Sequence, residues 1–234
     1  MATTPSTILL TAEDLEIDPN DITDVPQWSA CEFTNTPVSN PLVLWGYQKG
    51  DDVPGAPGTG GNGRPATLCD TNRLDKGVMH DSEGMRVVAL GIEFFSVGLY
   101  SSAAVDQGYA VDRPGISMLD LKRIQCETVF ELNVLKTAVT RLPTGHFPTG
   151  PQIVITTASG RRQEGPLAGV DGFAYGVNGV PTMDGLHIFA VAHKINPTEE
   201  FEGRLSFPGG TCDGLSRRVL ARATLYGPIR RAAV

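Results

Sequence analysis

Three short segments between Leu186 and Arg230 constrain the fold of this chain more than any other stretch. In the middle segment, apolar and polar residues alternate strictly from Phe201 to Phe207, with Glu202, Arg204 and Ser206 on the polar face. A period of two is typical of a strand that buries one face. The apolar run 186–192 precedes it, the alternating run 219–225 follows it, and turn residues separate all three. The stretch therefore predicts an antiparallel meander with one covered face.

Further strand-like segments lie upstream, at 42–47, 86–100, 125–136 and 152–157. The segment 117–124 is the best helix, because Ser117 can cap it and its apolar residues recur at helical spacing. The chain contains 27 Gly and 17 Pro, and only 19 % of its residues are charged, which favours short strands and turns over long surface helices. We expect an all-β, antiparallel β-sandwich or jelly roll of about eight strands with one short helix.

Two regions of different character are predicted. Residues 1–40 are interrupted by prolines and carry six acidic residues and no Lys or Arg between Glu13 and Asp24. We expect them to form an extended acidic N-terminal arm, anchored by Trp28 and Phe33 on its own domain or on a neighbouring chain. Residues 41–234 are expected to form a single β-sandwich domain with long Gly/Pro-rich loops at 49–65 and 158–181.

Charge and hydropathy argue against a nucleic-acid-binding protein and against a membrane-spanning helix. The net charge of −7 argues against a general nucleic-acid binder, because neutralising phosphates needs a basic surface. The N-terminus lacks the basic region of a signal peptide, and no stretch approaches the roughly 18 apolar residues of a membrane-spanning helix. We expect a soluble protein made in a cytoplasm.

A search for catalytic or metal-binding residues is negative. His187 and His193 share a strand face, but six residues of extended chain would separate them by about 20 Å, too far to bind one metal. The run GTGGNG at 58–63 lacks the Lys-Ser/Thr and the following helix of a phosphate-binding loop. Cys126 is expected to be a buried thiol on a strand face. We predict no enzymatic activity, no catalytic residue, no cofactor and no metal site.

The C-terminal third resembles jelly-roll capsid and structural proteins of tailless icosahedral DNA bacteriophages that contain an internal membrane. The similarity rests on the strand LHIFAVAH, the motif I-N-P-x-x-x-F at 195–201 and the closing L-Y-G-P-I-R-R at 225–231. It covers about half of the chain. The resemblance implies a jelly-roll fold, a location in the virion, and partners that are copies of the chain and other virion proteins, with an internal lipid membrane as a further candidate and no specific nucleic acid.

The functional hypothesis is therefore a capsid subunit that assembles through its arm, its loops and its sheet edges. The C-terminal arginines, with no acid after Asp213, complement the acidic arm. The candidate subunit-interface residues are Glu13, Asp14, Glu16, Trp28, Phe33, Arg217, Arg218, Arg230 and Arg231. The alternative is a ligand- or carbohydrate-binding module, lectin-like or receptor-binding, that stacks sugars on Trp45, Tyr47, Phe173 or Tyr175. A cupin- or hydrolase-type enzyme would need clustered His and carboxylate ligands, which the sequence does not offer.

Overall fold

The computed structural model describes residues 22–23, 25–33, 41–56, 64–73, 75–81, 83–96, 116–147, 154–161, 170–177, 186–209, 215 and 219–231. At 22–23, 95–96, 116–120, 154–161, 170–177 and 230–231 the description covers the backbone only.

Strands dominate the described residues, so the predicted all-β class is confirmed. The strands are β1 (Ile22–Thr23), β2 (Gln27–Phe33), β3 (Leu42–Leu44), β4 (Glu83–Ser96), β5 (Ile116–Ser117), β6 (Val129–Val134), β7 (Thr137–Pro143), β8 (Val154–Arg161), β9 (Val170–Val177), β10 (His187–Ile195), β11 (Phe201–Ser206), β12 (Val219–Tyr226) and β13 (Ile229–Arg231). One α-helix, α1 (Met118–Glu127), and one 3-10 turn (Thr144–His146) accompany them.

The larger sheet is built around the long strand β4. Strands β12 and β13 pair with successive lengths of one flank of β4, while β10 pairs with the other flank. Beyond them, β2 pairs with β12 and β1 pairs with β13, so the sheet is four strands wide. Gly227 makes the kink between β12 and β13. Its φ is 148°, and a Cβ there would lie 2.0 Å from the Arg86 carbonyl oxygen, so only glycine fits.

The second sheet has four antiparallel strands in the order β3-β11-β6-β7. Strands β6 and β7 form a hairpin joined by Leu135 and Lys136 alone. A third, smaller sheet has the order β5-β9-β8.

Four pairs of strands are nested one inside the next along the chain. The hairpin β6–β7 is innermost, β4–β10 encloses it, β3–β11 encloses that pair, and β2–β12 is outermost. Two further pairings, β12–β4 and β11–β6, connect these ladders into the two main sheets.

The two main sheets share one hydrophobic core. Phe33 of β2 meets Phe207, which follows β11, edge to face at 5.7 Å between ring centroids. The alternation predicted for 201–207 is confirmed, because Phe201, Leu205 and Phe207 are buried and Arg204 is exposed. In β12 the predicted inward residues are also fully buried: Val219, Ala221, Ala223 and Leu225.

The free edge of β2 is covered by the described parts of the segment 47–72. The amide of Glu32 donates to the Pro54 carbonyl at 2.8 Å, and the amide of Trp28 donates to the Asn72 side chain at 3.0 Å. The Tyr47 hydroxyl receives the Ala30 amide at 3.0 Å. A covered edge cannot pair with a strand of another molecule, which protects the sheet from uncontrolled association.

Several predicted boundaries differ from the structure. Residues 27–33 of the expected arm form β2, an integral strand. Strand β9 and the end of β8 lie within the expected loop 158–181. The expected loop 49–65 carries a β-bridge between Asp52 and Pro65 across its described ends. Helix α1 continues to Glu127, so Cys126 lies on the helix and is exposed instead of buried on a strand.

Candidate functional site

An open cleft of about 420 Å³ lies at the end of the second sheet where β6 ends and β11 begins. Three stretches distant in sequence line it, together with the turn between β6 and β7. The lining residues are Gly46, Lys76, Gly77, Val78, Asn133, Lys136, Glu200, Phe201, Glu202 and Arg204. We refer to this set as the cleft.

Backbone strain is concentrated around the cleft. Among the described residues, four that are not glycine have a positive φ: Trp45 (60°), Leu135 (50°), Lys136 (63°) and Thr198 (64°). Lys136 lines the cleft. In sequence, Trp45 is next to the lining residue Gly46, and Leu135 is next to Lys136. Thr198 lies on the adjoining turn, bonded through its amide to the Met79 carbonyl at 3.0 Å. Non-glycine residues in this conformation cost about 1–3 kcal/mol each and tend to cluster at functional sites.

The turn between β6 and β7 is the clearest case. A two-residue hairpin turn with both φ values positive normally uses Asn-Gly or a similar pair. Here Leu135 and Lys136 occupy it, and the Leu135 side chain is 57 % exposed. The Leu135 amide donates to the Glu200 carbonyl at 2.9 Å, which fixes the turn against the start of β11.

Trp45 anchors the wall behind Gly46. Its amide donates to the Ser29 hydroxyl oxygen at 2.8 Å, and its carbonyl accepts the Gly77 amide at 2.8 Å. The indole is fully buried and lies 6.0 Å from the Phe201 ring. Its Nε1 donor has no hydrogen-bond partner in the structure.

Arg73 is a buried cation that lies over the Phe201 ring. Arg73 is 3 % exposed, and its guanidinium carbon sits 5.1 Å from the centroid of the Phe201 ring. It donates to the Val78 carbonyl and to Gln27 Oε1 at 3.1 Å, while its Nε has no partner. Burial lowers the pKa of Arg73, and the carboxylates of Glu83 and Asp75 oppose that shift.

The exposed charges of the cleft are partly paired. Lys76 binds Asp51 at 3.0 Å, and Arg204 binds Glu202. Within the described residues, Lys136 and Glu200 make no ion pair.

A second cluster surrounds the histidines of β10. The His187 ring lies 5.0 Å from Phe147 and 5.2 Å from Phe189, and His193 lies 4.9 Å from Phe189. The ring centroids of the two imidazoles therefore lie no more than about 10 Å apart. The expected separation of about 20 Å is wrong. The cause is a bulge between Ile188 and His193, which shortens the strand. Burial, and then the nearby His146, lower the pKa of His187.

A third cluster holds the segment 64–70 against β2. Arg64 donates to Glu32 at 2.8 Å and to both carboxylate oxygens of Asp70, at 2.9 and 2.6 Å. Burial alone would raise the pKa of Asp70, but the hydrogen bonds from Arg64 and Thr67 outweigh it and the pKa is lowered. This cluster stabilises the covered edge of the sheet.

The structure places only some of the predicted interface residues. Glu13, Asp14, Glu16, Arg217 and Arg218 lie outside the described residues. Phe33 is fully buried in the chain's own core, so its ring is not presented to a neighbour. Trp28 is partly exposed and donates from Nε1 to the Leu68 carbonyl at 3.0 Å. Arg230 and Arg231 lie in β13, where only their backbone is described.

Two of the four predicted stacking aromatics are not on the surface. Trp45 is fully buried and Tyr47 is 5 % exposed, because each packs inward beside β2. Phe173 and Tyr175 lie in β9, whose side chains are outside the description.

The sequence did not predict the cleft. Its turn fell at the end of a segment predicted as one strand, 125–136, and its other walls come from positions far apart in the chain. The one available signal was the absence of Gly, Asn or Asp where two strands needed a tight turn.

No group of three or more His, Cys, Asp or Glu side chains among the described residues is arranged to hold a metal ion. None of the helical residues that the structure describes belongs to a helix long and apolar enough to cross a membrane. Comparison with known proteins finds no matching family, no significantly similar curated protein and no significantly similar solved structure.

Proposed function

We propose that the sandwich is a jelly roll and that the chain is a virion structural protein, a capsid subunit that assembles with copies of itself. The observation that carries the proposal is the nesting of β6–β7, β4–β10, β3–β11 and β2–β12. A ribbon of four nested antiparallel pairs, rolled so that its strands divide between two sheets, is the arrangement expected of a double Greek key. Jelly rolls of this kind occur in viral capsids, lectins and cupins.

The filled interior favours a structural role over a ligand-holding one. Large side chains that are less than 2 % exposed occupy the space between the sheets, and they include Trp45, Phe33, Phe130, Phe147, Phe201 and Phe207. A jelly roll that binds its ligand inside needs open space there, as larger barrels do. The lectin-like alternative depended on surface aromatics, and the burial of Trp45 and Tyr47 removes two of its four platforms.

One edge of the larger sheet is covered and the other is exposed, which supports assembly through the exposed edge. The described parts of the segment 47–72 cover the edge at β2. At the other edge, β10 bulges away from β4 and presents Ile188 (56 % exposed) and Val191 (72 % exposed). Exposed apolar residues beside a strand edge suit contact with another protein. Partners under this proposal are copies of the chain and other virion proteins, with an internal lipid membrane as a further candidate.

Electron microscopy and light scattering of the purified chain test the proposal. We expect the chain to form closed shells or discrete oligomers, alone or with the other structural proteins of its virion. A strictly monomeric chain that is absent from purified particles would contradict the proposal.

A further inference from the structure

We propose that residues 187–193 of β10, the β10 bulge, form a contact between two copies of the chain, and that protonation of His187 and His193 weakens this contact. The partner is a second copy, so the proposal rests on the proposed function. It adds how the copies meet and what controls their association.

The contact surface is an enlarged bulge in an edge strand. Between Ile188 and His193 the ladder advances by only two residues on β4, so residues 189–192 stand opposite Val88 alone. Such an insertion bends the strand and leaves the extra residues without partners in the ladder. Because a bulge interrupts backbone pairing, the contact must be made mainly by side chains.

The exposed part of the β10 bulge is apolar. Ala190 and Val191 are exposed, Val191 at 72 %, and Ile188 beside them is 56 % exposed. Phe189 is 7 % exposed and holds the bulge to the core. The segment 185–193 contains no Asp, Glu, Lys or Arg. Exposed apolar side chains that lie together, without charges among them, suit contact with another protein.

The charge of the β10 bulge favours a second copy as the partner. In a twofold contact the same residues of both copies meet, so a charged surface would face its own charge. The ionisable side chains of this segment are His187 and His193, and neutral imidazoles leave it uncharged. Two such surfaces can therefore meet without repulsion and need no complementary charge from a different protein.

The two histidines lie where such a contact would cover them. Their ring centroids are 5.2 Å (His187) and 4.9 Å (His193) from that of Phe189. Both side chains are partly exposed, and they stand at the two ends of the apolar segment. A second copy that covers Val191 and Ile188 would also remove water from the imidazoles, and this disfavours their charged form.

The charged groups around the histidines also oppose protonation. Burial, and then His146 of the 3-10 turn, lower the pKa of His187. The paired segments 85–90 and 187–195 contain no Asp or Glu, and their charged residues are Arg86 and Lys194, which stand opposite each other. The contact therefore favours neutral imidazoles, and acid should release it.

Analytical ultracentrifugation of the full chain at pH 7.5 and pH 5.5, at constant ionic strength, measures the concentration at which half of the chains are assembled. At pH 5.5, one unit below the ordinary histidine pKa of about 6.5, about a tenth of free imidazoles are neutral. We expect the midpoint concentration to rise about tenfold at pH 5.5. Circular dichroism at both pH values verifies that the chain stays folded.

Val191→Asp tests the surface itself. The substitution places carboxylates of the two copies near each other and should raise the midpoint at pH 7.5 by about tenfold or more. Leu68→Asp is the matched control, since it makes the same change in charge at an apolar residue that is 60 % exposed on the segment covering β2. It should assemble normally.

The double variant His187→Phe and His193→Phe tests the titration. It keeps two rings beside Phe189 but cannot be protonated, so its midpoints at the two pH values should be about equal. His80→Gln, which removes an exposed histidine elsewhere, should keep the full pH effect. If the double variant does not fold, His193→Phe alone should reduce the pH effect.

Normal assembly of Val191→Asp would overturn this proposal and leave the capsid proposal intact. An unchanged pH effect in the histidine variants would do the same. A chain that is monomeric at both pH values and absent from purified particles would contradict the capsid proposal, and this one with it.

Discussion

Gly203 is the residue at which the core tolerates least change. A Cβ at this position would lie 2.6 Å from Trp45 Cζ3 and 3.1 Å from Phe130 Cε2, and both rings are fully buried. We expect Gly203→Ala to lower the free energy of unfolding by about 1–3 kcal/mol, because neither ring can move without displacing its neighbours. Chemical denaturation measures the change.

Gly209 provides the matched control for this substitution. Nothing lies within 4 Å of a Cβ built there, and its φ is not positive. Gly209→Ala should alter stability by less than about 0.5 kcal/mol. Equal stabilities of the two variants would show that the Trp45–Gly203 contact is looser than the structure indicates.

His187 should make stability depend on pH. Its folded-state pKa lies below the ordinary value of 6.5, mainly because of burial. As pH falls through 6.5, the unfolded chain takes up a proton that the folded chain does not, so the free energy of unfolding decreases until the folded-state pKa is reached. In His187→Phe the ring contacts with Phe147 and Phe189 remain, and this contribution should disappear.

Denaturation at pH 7.5 and pH 5.5 tests the His187 prediction. The loss of stability on acidification should be smaller for His187→Phe than for the unaltered chain. An unchanged loss would assign the effect to other groups.

At the scale of elements, the segment that covers β2 depends on Arg64. Arg64→Met would remove both guanidinium bonds to Asp70, whose side chain is 3 % exposed, as well as the bond to Glu32. We expect a loss of about 2 kcal/mol or more. Faster hydrogen exchange of the Glu32 amide, which bonds Pro54, should accompany the loss of stability.

Arg141→Met is the control for the Arg64 variant. Arg141 is 70 % exposed and its ion pair with Glu131 spans 3.3 Å, so its removal should cost less than about 1 kcal/mol. If both substitutions have the same effect, the Arg64 cluster is not what holds the segment in place.

The sequence predicted β11 and β12 because each buries one face. In both strands the inward residues are apolar or glycine, and most of the outward residues are polar. Strand β2 was not predicted because nearly all of it is buried on both faces, including the polar Gln27, Ser29 and Glu32. Strand β7 was not predicted because it is mostly exposed at the sheet edge, so burial imposes no pattern on it.

At the scale of the whole molecule, no local pattern could reveal the cleft. Its walls come from the neighbourhoods of residues 46, 77, 134 and 202, which the fold brings together through long-range pairing. The unpaired donors of Trp45 and Arg73 are likewise properties of packing. The sequence therefore predicted the class of fold, while the candidate site follows only from the assembled sheets.

Assembly through the C-terminal arginines is a prediction at this same scale. Replacing both Arg230 and Arg231 with Glu should hinder particle or oligomer formation. The circular dichroism spectrum should stay that of the folded monomer, because β13 pairs through its backbone. Light scattering and electron microscopy measure assembly. The double variant Lys122→Glu and Arg123→Glu on α1 makes the same change in net charge at exposed positions and should assemble normally. Normal particles from the β13 variant would contradict the prediction.

The nested pairing also dictates the order in which the chain can fold. Among the four nested pairs, only the hairpin β6–β7 joins strands that are neighbours in sequence, and each enclosing pair must close a longer loop. A chain with such distant contacts should fold on the order of milliseconds to seconds. On the ribosome, β2 is made early but has to wait for β12, so its polar edge remains unsatisfied for most of synthesis. A chain interrupted before residue 219 would leave β2 and β4 without the strand that lies between them, and should aggregate instead of accumulating as a stable fragment.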